Sequence, residues 1–122
     1  MSKKLLIILA NSDPKNAEEL AAPLFQATVA AAMSHDVEIV ITGNTGKLAI
    51  MDHAEGLEIN HETHRNIYDV IQEAHKAGVV FKVSAPTISV WGKDLIPEID
   101  ESVGTAYIIK EAMDDDTVTF TY

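Results

Sequence analysis

The stretch Phe81-Lys82-Val83-Ser84-Ala85-Pro86-Thr87 runs from an apolar strand into a helix start through one small hydroxyl residue. Reading backward, Val79 to Val83 is a strand of β-formers, and Gly78 before it is the residue type that closes a helix. That predicts a helix over about His61 to Ala77, with Asn60 as its cap and Ile67, Val70, Ile71 and Ala74 as the buried stripe. Reading forward, a short helical piece is expected over Ile88 to Leu95, ended near Pro97, and then a short strand over Glu98 to Val103. Gly104 leads into a helix through Met113, and Thr117-Val118-Thr119-Phe120 forms a last strand of alternating β-formers.

The amino-terminal half shows the same alternation. Leu5 to Leu9 is a continuous aliphatic run of strand length, the pattern of a parallel strand covered on both faces. Asn16 is placed to cap a helix through about Ser34, with Glu18 and Glu19 favourable against its N-terminal dipole. Pro23 is expected to interrupt this helix or shift its start, because proline lacks the amide donor an interior position uses. From Phe25 to Met33 the helix is apolar nearly all round, so it is expected to be covered by the sheet on one side and another subunit on the other. Val37 to Thr42 is a second strand, Gly43-Asn44-Thr45-Gly46 turns the chain, Lys47 to Met51 makes one helical turn, and Asp52 to Ile59 reads as a loop. Repeated β–α units argue for an α/β domain over residues 1–122, with a mostly parallel sheet of about five strands and helices on both faces.

A chain of 122 residues buries roughly 65 to 70% of its unfolded surface, so it needs no metal or disulfide to fold. Its 47% hydrophobic and 23% charged residues are those of an ordinary globular protein, and no apolar run reaches the roughly 20 residues that span a bilayer. The basic start and first apolar run lead into Asn11-Ser12-Asp13-Pro14 without a small-residue cleavage pattern, so a cytoplasmic location is expected. A net charge of −10 repels a phosphate backbone, and the nine Lys and Arg residues form no cluster, which excludes nucleic acid as a partner. There is no cysteine.

In an open parallel sheet, ligands bind beyond the carboxyl ends of the strands. Those ends are Asn11-Ser12-Asp13, Gly43-Asn44-Thr45-Gly46 and Ser84-Ala85-Pro86-Thr87. They read either as turn residues chosen for backbone geometry or as a polar mouth built from Asn11, Ser12, Asn44, Ser84 and Thr87 and walled by Trp91. Gly43-Asn44-Thr45-Gly46-Lys47 has two residues between its glycines where a phosphate loop has four, and Leu48 follows the lysine, so nucleotide hydrolysis is not expected. No GxGxxG follows a strand, and no cofactor is expected. His53, His61 and His64 lie close in sequence, but their spacing matches no zinc motif, and solvated histidines are the expectation. His75 is expected at the border of the buried stripe. Asp114-Asp115-Asp116 reads as a solvated connection, and Asp94, Glu98, Asp100 and Glu101 as a solvent face or partner-facing patch.

With the strand ends placed, the chain resembles the DsrE/DsrF-like family, which includes the subunits of the Tus sulfur-relay complex. The resemblance lies in the opening KLLIILANSDP, in HDVEIVITGNTGKLAI, in EAHKAGVVFKV, and in the tail from DLIPEIDESVG through AMDDDTVTFTY. It implies a three-layer α/β/α domain, assembled as trimers or hexamers with other sulfur-relay proteins as further partners, and a cysteine that carries sulfur. In many members that cysteine closes the strand matching Val79 to Val83, and here the position is Ser84. An alcohol is far less acidic than a thiol and stores no sulfane sulfur, and no GxSxG elbow or neighbouring base activates Ser84. Three readings follow: a natural cysteine-free paralogue acting as a binding or scaffold subunit, a thiol protein changed to serine, or a different active position. A binding subunit unrelated to sulfur is the rival from another class.

Overall fold

Aliphatic runs become strands and alanine-rich or striped runs become helices. The computed structural model describes residues 3–60 and 62–122. In order these form β1 (Lys4–Leu9), α1 (Ala17–Ala32), β2 (Asp36–Ile41), 3-10 helices over Gly43–Ala49 and Ala54–Gly56, β3 (Glu58–Asn60), β4 (Arg65–Asn66) and α2 (Ile67–Lys76). The chain continues through β5 (Val80–Ser84), α3 (Ala85–Trp91), β6 (Ile99–Val103), α4 (Thr105–Ala112) and β7 (Thr117–Thr121). Five strands make one sheet in the order β6-β5-β2-β1-β7, with every neighbouring pair parallel. The aliphatic strand β1 therefore lies inside the sheet, next to β2, which is what a continuous apolar run implies.

Because side chains alternate across a strand, each strand feeds two cores. On one face Ile7, Leu9, Ile39, Ile41, Phe81 and Val83 pack with α1 and α2, through Leu20, Leu24, Ile67, Val70 and Ile71. On the other face Leu6, Val40 and Val103 meet Ile108 of α4, a much smaller cluster. The buried residues of α2 are Ile67, Val70, Ile71 and Ala74, the stripe read from the sequence.

The structure departs from the sequence reading in helices α1, α2 and α3, in the 3-10 helix that already starts at Gly43, and between Asp52 and Ile59, where the expected loop holds a 3-10 turn and the start of β3. Helix α1 starts after Asn16, whose side chain accepts from the Glu19 amide, and it runs through Pro23 without a break. Pro23 forfeits one backbone bond but buries its ring in the core, and burial compensates in a long helix. Helix α2 begins at Ile67 rather than near His61. Asn66 has an acid at N3, so its side chain accepts from the Asp69 amide while the Asp69 carboxylate accepts from the Asn66 amide. Asn60 instead accepts from the amides of Glu62 and Thr63, closing the turn between the antiparallel strands β3 and β4. Helix α3 starts directly after Ser84, with Pro86 in its first turn, where a missing amide is tolerated, and stops at Gly92, whose φ is 109°.

Candidate functional site

Ser84 is both the last residue of β5, opposite Val103 of β6, and the residue that caps α3. Its backbone is extended, and its side chain makes no bond to the α3 amides. The hydroxyl turns instead to two others, with Oγ 2.7 Å from Thr42 Oγ1 and 2.7 Å from Thr87 Oγ1. Thr42 follows β2, the neighbouring strand, and Thr87 sits in the first turn of α3. Ser84 is 1% exposed and Thr87 3%. A hydroxyl has one proton to donate and lone pairs to accept, so Ser84 is satisfied inside this cluster. Neither partner is a base, so the cluster holds no nucleophile–base pair.

Thr87 and Trp91 are four residues apart and share a face of α3. That face lies against the 3-10 helix, and Gly46 is what allows it: a Cβ there would stand 2.6 Å from Thr87 Cγ2 and 2.6 Å from Trp91 Cδ1. Gly43 has φ 54°, and a Cβ on it would meet the Ala10 carbonyl oxygen at 2.9 Å. The two glycines of the phosphate-loop-like string thus serve chain approach. Thr42, Gly43, Pro86, Thr87, Val90 and Trp91 line a cleft of about 150 Å³ above the hydroxyl cluster.

Of the residues singled out in the sequence, Ser84, Thr87 and Trp91 come together here. Asn11 and Ser12 lie in the loop after β1 and Asn44 in the 3-10 helix, and none of them lines the cleft. Their role in the structure is through the main chain. The Asn11 amide donates to the Tyr122 carbonyl at 2.9 Å, the Asn44 amide to the Ala10 carbonyl at 2.9 Å, and Thr45 Oγ1 to the Ser12 carbonyl at 2.8 Å. Thr42 was not singled out, because at the end of an apolar strand it reads only as a β-former; its hydroxyl partner lies 42 residues away.

Among the described residues the histidines do not gather into a metal site. His53 Nε2 donates to the Pro14 carbonyl at 2.5 Å, His64 is well exposed, and His61 lies outside the described residues. Among the described residues no three metal-ligating side chains gather at one point. Of the acidic residues read as a solvent face, Asp94, Asp100 and Glu101 are exposed and Glu98 is partly buried, and those from 98 to 101 also have partners within the chain. Glu98 accepts from the Tyr68 hydroxyl at 2.9 Å, Asp100 accepts from the Phe81 amide at 3.0 Å and contacts His75 at 3.1 Å, and Glu101 lies 3.6 Å from Lys82.

A second polar cluster, absent from the sequence reading, lies on the α4 face. Glu38 of β2, its side chain 5% exposed, is 2.7 Å from Lys82 Nζ, accepts from the Tyr107 hydroxyl at 2.8 Å, and lies 3.5 Å from Lys4. Lys4 also donates to Glu111 at 2.5 Å. Burial opposes the charge on Lys82, yet hydrogen bonds to Glu38 and Tyr107 outweigh it and hold the ammonium above its usual value. Lys4 is likewise raised, burial being outweighed by Glu111 and Glu38, and the bond from Lys4 lowers Glu111. Burial raises the Tyr107 hydroxyl, which remains a donor. The sequence signal was present as Glu38 and Lys82 interrupting apolar strands.

An open parallel sheet with a closed hydroxyl cluster at its carboxyl edge defines a small α/β domain. The chain belongs to the DsrE/DsrF-like family, whose model matches residues 4–120. It is similar in structure to the ychN protein from E. coli, with a TM-score of 0.72, 18% sequence identity, and coverage of 98% of this chain and 100% of that one. No curated protein matches it. No helix among the described residues is long and apolar enough to cross a membrane.

Proposed function

We propose that this chain is a subunit of a sulfur-relay system that carries no sulfur itself, with Ser84 filling the position that holds the reactive cysteine in many relatives. Family membership supports the relay, and one observation supports the inert role: the Ser84 hydroxyl is closed between Thr42 and Thr87 at 2.7 Å on each side and is 1% exposed. Two such short contacts suit oxygen, since sulfur is larger and a weak acceptor. This favours a serine built into the fold over a thiol position merely refilled. The cleft above it, about 150 Å³, is small against the ~300 Å³ at which small-molecule sites begin, which favours assembly over ligand binding.

The test is to install a thiol. Ser84→Cys, incubated with a polysulfide or thiosulfonate donor, is expected to gain the mass of one sulfur atom slowly, while the parent chain gains none. A folded Ser84→Cys protein whose thiol alkylates but takes up no sulfur would remove the assignment of this position.

A further inference from the structure

The sheet has two edges, and they are defended differently. The β6 edge carries exposed Asp100 and Glu101 and a register shift against β5, features that discourage pairing with another strand. The β7 edge, Thr117-Val118-Thr119-Phe120-Thr121, has no charge, no proline and no register shift against β1. Tyr122 directs both its amide and its carbonyl at β1. By alternation Thr117, Thr119 and Thr121 direct theirs away from the sheet.

We propose that β7 pairs antiparallel with β7 of a second copy of this chain, about a two-fold axis through Thr119. In that register Thr119 faces its own copy, Thr117 faces Thr121, and Val118 faces Phe120. The Thr119 amides and carbonyls bond reciprocally, and the Thr121 amide reaches the Thr117 carbonyl; the Thr117 amide is already used by Asp114. A register centred on Thr117 would carry Asp115 and Asp116 into the pairing, so the carboxylate run limits the slip. Threonine pairs and aliphatic–aromatic pairs are both favourable across strands, and a strand that pairs with itself gives an isologous contact.

Three observations select a second copy as the occupant. Thr119 Oγ1 has no hydrogen-bond partner among the described residues, and a turn about χ1 would present it to the identical hydroxyl that the axis places across the seam. Beside β7, exposed Phe25, Val29 and Met33 of α1 line an almost wholly apolar groove of about 410 Å³ with Phe120, and Val118 and Phe120 continue it. These five side chains, each between 38% and 64% exposed, form one contiguous apolar surface beside the edge strand. Finally, copies of net charge −10 repel, so they approach most easily where the surface is uncharged. The contact does not depend on the sulfur reading. It builds dimers, or hexamers when joined to a three-fold contact, but no lone trimer.

Since the chain has no cysteine, a single one reports the axis. Paired residues at Thr119 would have Cα atoms about 5.5 Å apart, within disulfide reach, whereas the two copies of Thr121 would stand roughly 14 Å apart. Under mild oxidation Thr119→Cys is expected to give a covalent dimer and Thr121→Cys none. Light scattering on the full chain is expected to show a dimer or an even multiple. Thr119→Pro and Phe120→Lys are expected to halve that mass or reduce it to the monomer, and Glu55→Lys, on the exposed 3-10 turn, to leave it unchanged. A monomer at high concentration, an oligomer that survives both β7 variants, or equal cross-linking at both cysteine positions would overturn the proposal.

Discussion

Ser84 shows how a residue type suited to catalysis can be held out of it by its neighbours. Its hydroxyl is shared with Thr42 and Thr87, so Ser84→Ala would leave two hydroxyls short of a partner, one of them buried. That change is expected to cost about 1–3 kcal/mol in urea unfolding. Gly46 is the second decisive residue. Gly46→Ala would force Trp91 and Thr87 off the 3-10 helix, with an expected loss of about 1–3 kcal/mol. Trp91 is the only tryptophan, so a shift in its emission should accompany that loss. The sequence marked Ser84, Thr87 and Trp91 because they follow one strand end. It did not mark Thr42, because sheet order alone makes that strand the neighbour.

At the scale of elements, capping decided what hydrophobic spacing left open. Both Asn60 and Asn66 precede the stripe of α2, and only Asn66 has an acid at N3. Asn66→Ala is therefore expected to lower stability by about 1 kcal/mol, and Asn60→Ala, at an exposed turn, by less than about 0.5 kcal/mol. Urea midpoints of the two variants would compare them directly. Pro23 taught the opposite lesson: a local rule gave way because the helix it should break is anchored by buried Leu20, Leu24 and Ala27 on either side. Helix α4 is held by few aliphatic contacts and by the Glu38 cluster. Removing Glu38 takes from part-buried Lys82 its nearest carboxylate and leaves it Glu101 at 3.6 Å, and Glu38→Ala is expected to cost about 3 kcal/mol. Hydrogen exchange should show α4 losing protection first.

Across the whole molecule, the two faces of the sheet have unequal cores, and the thinner one depends on charge. Lys82 and Lys4 have folded-state values above the ordinary 10.5, so their contribution is complete below pH 10.5 and is lost as pH rises through the raised values. Glu111 lies below the ordinary 4.5, so its contribution is present above pH 4.5 and is lost as pH falls further. Thermal melts should accordingly show a plateau between these limits with a fall on each side. Glu38→Gln should blunt the alkaline fall, since it removes the partner that raises Lys82.

By itself the sequence determined the alternation of strands and helices, the buried stripe of α2 and the doubly covered strands, because periodicity, caps and turn residues act over a few positions. It also carried enough of the family pattern to be recognised along nearly its whole length. Only the tertiary structure decided the order β6-β5-β2-β1-β7 and everything that follows from it. Ser84 meets Thr42 across 42 positions, Tyr107 meets Glu38 across 69, and Lys4 meets Glu111 across 107. Such partners are neighbours because strands are laid side by side by the packing of two cores. No local preference along the chain specifies that choice.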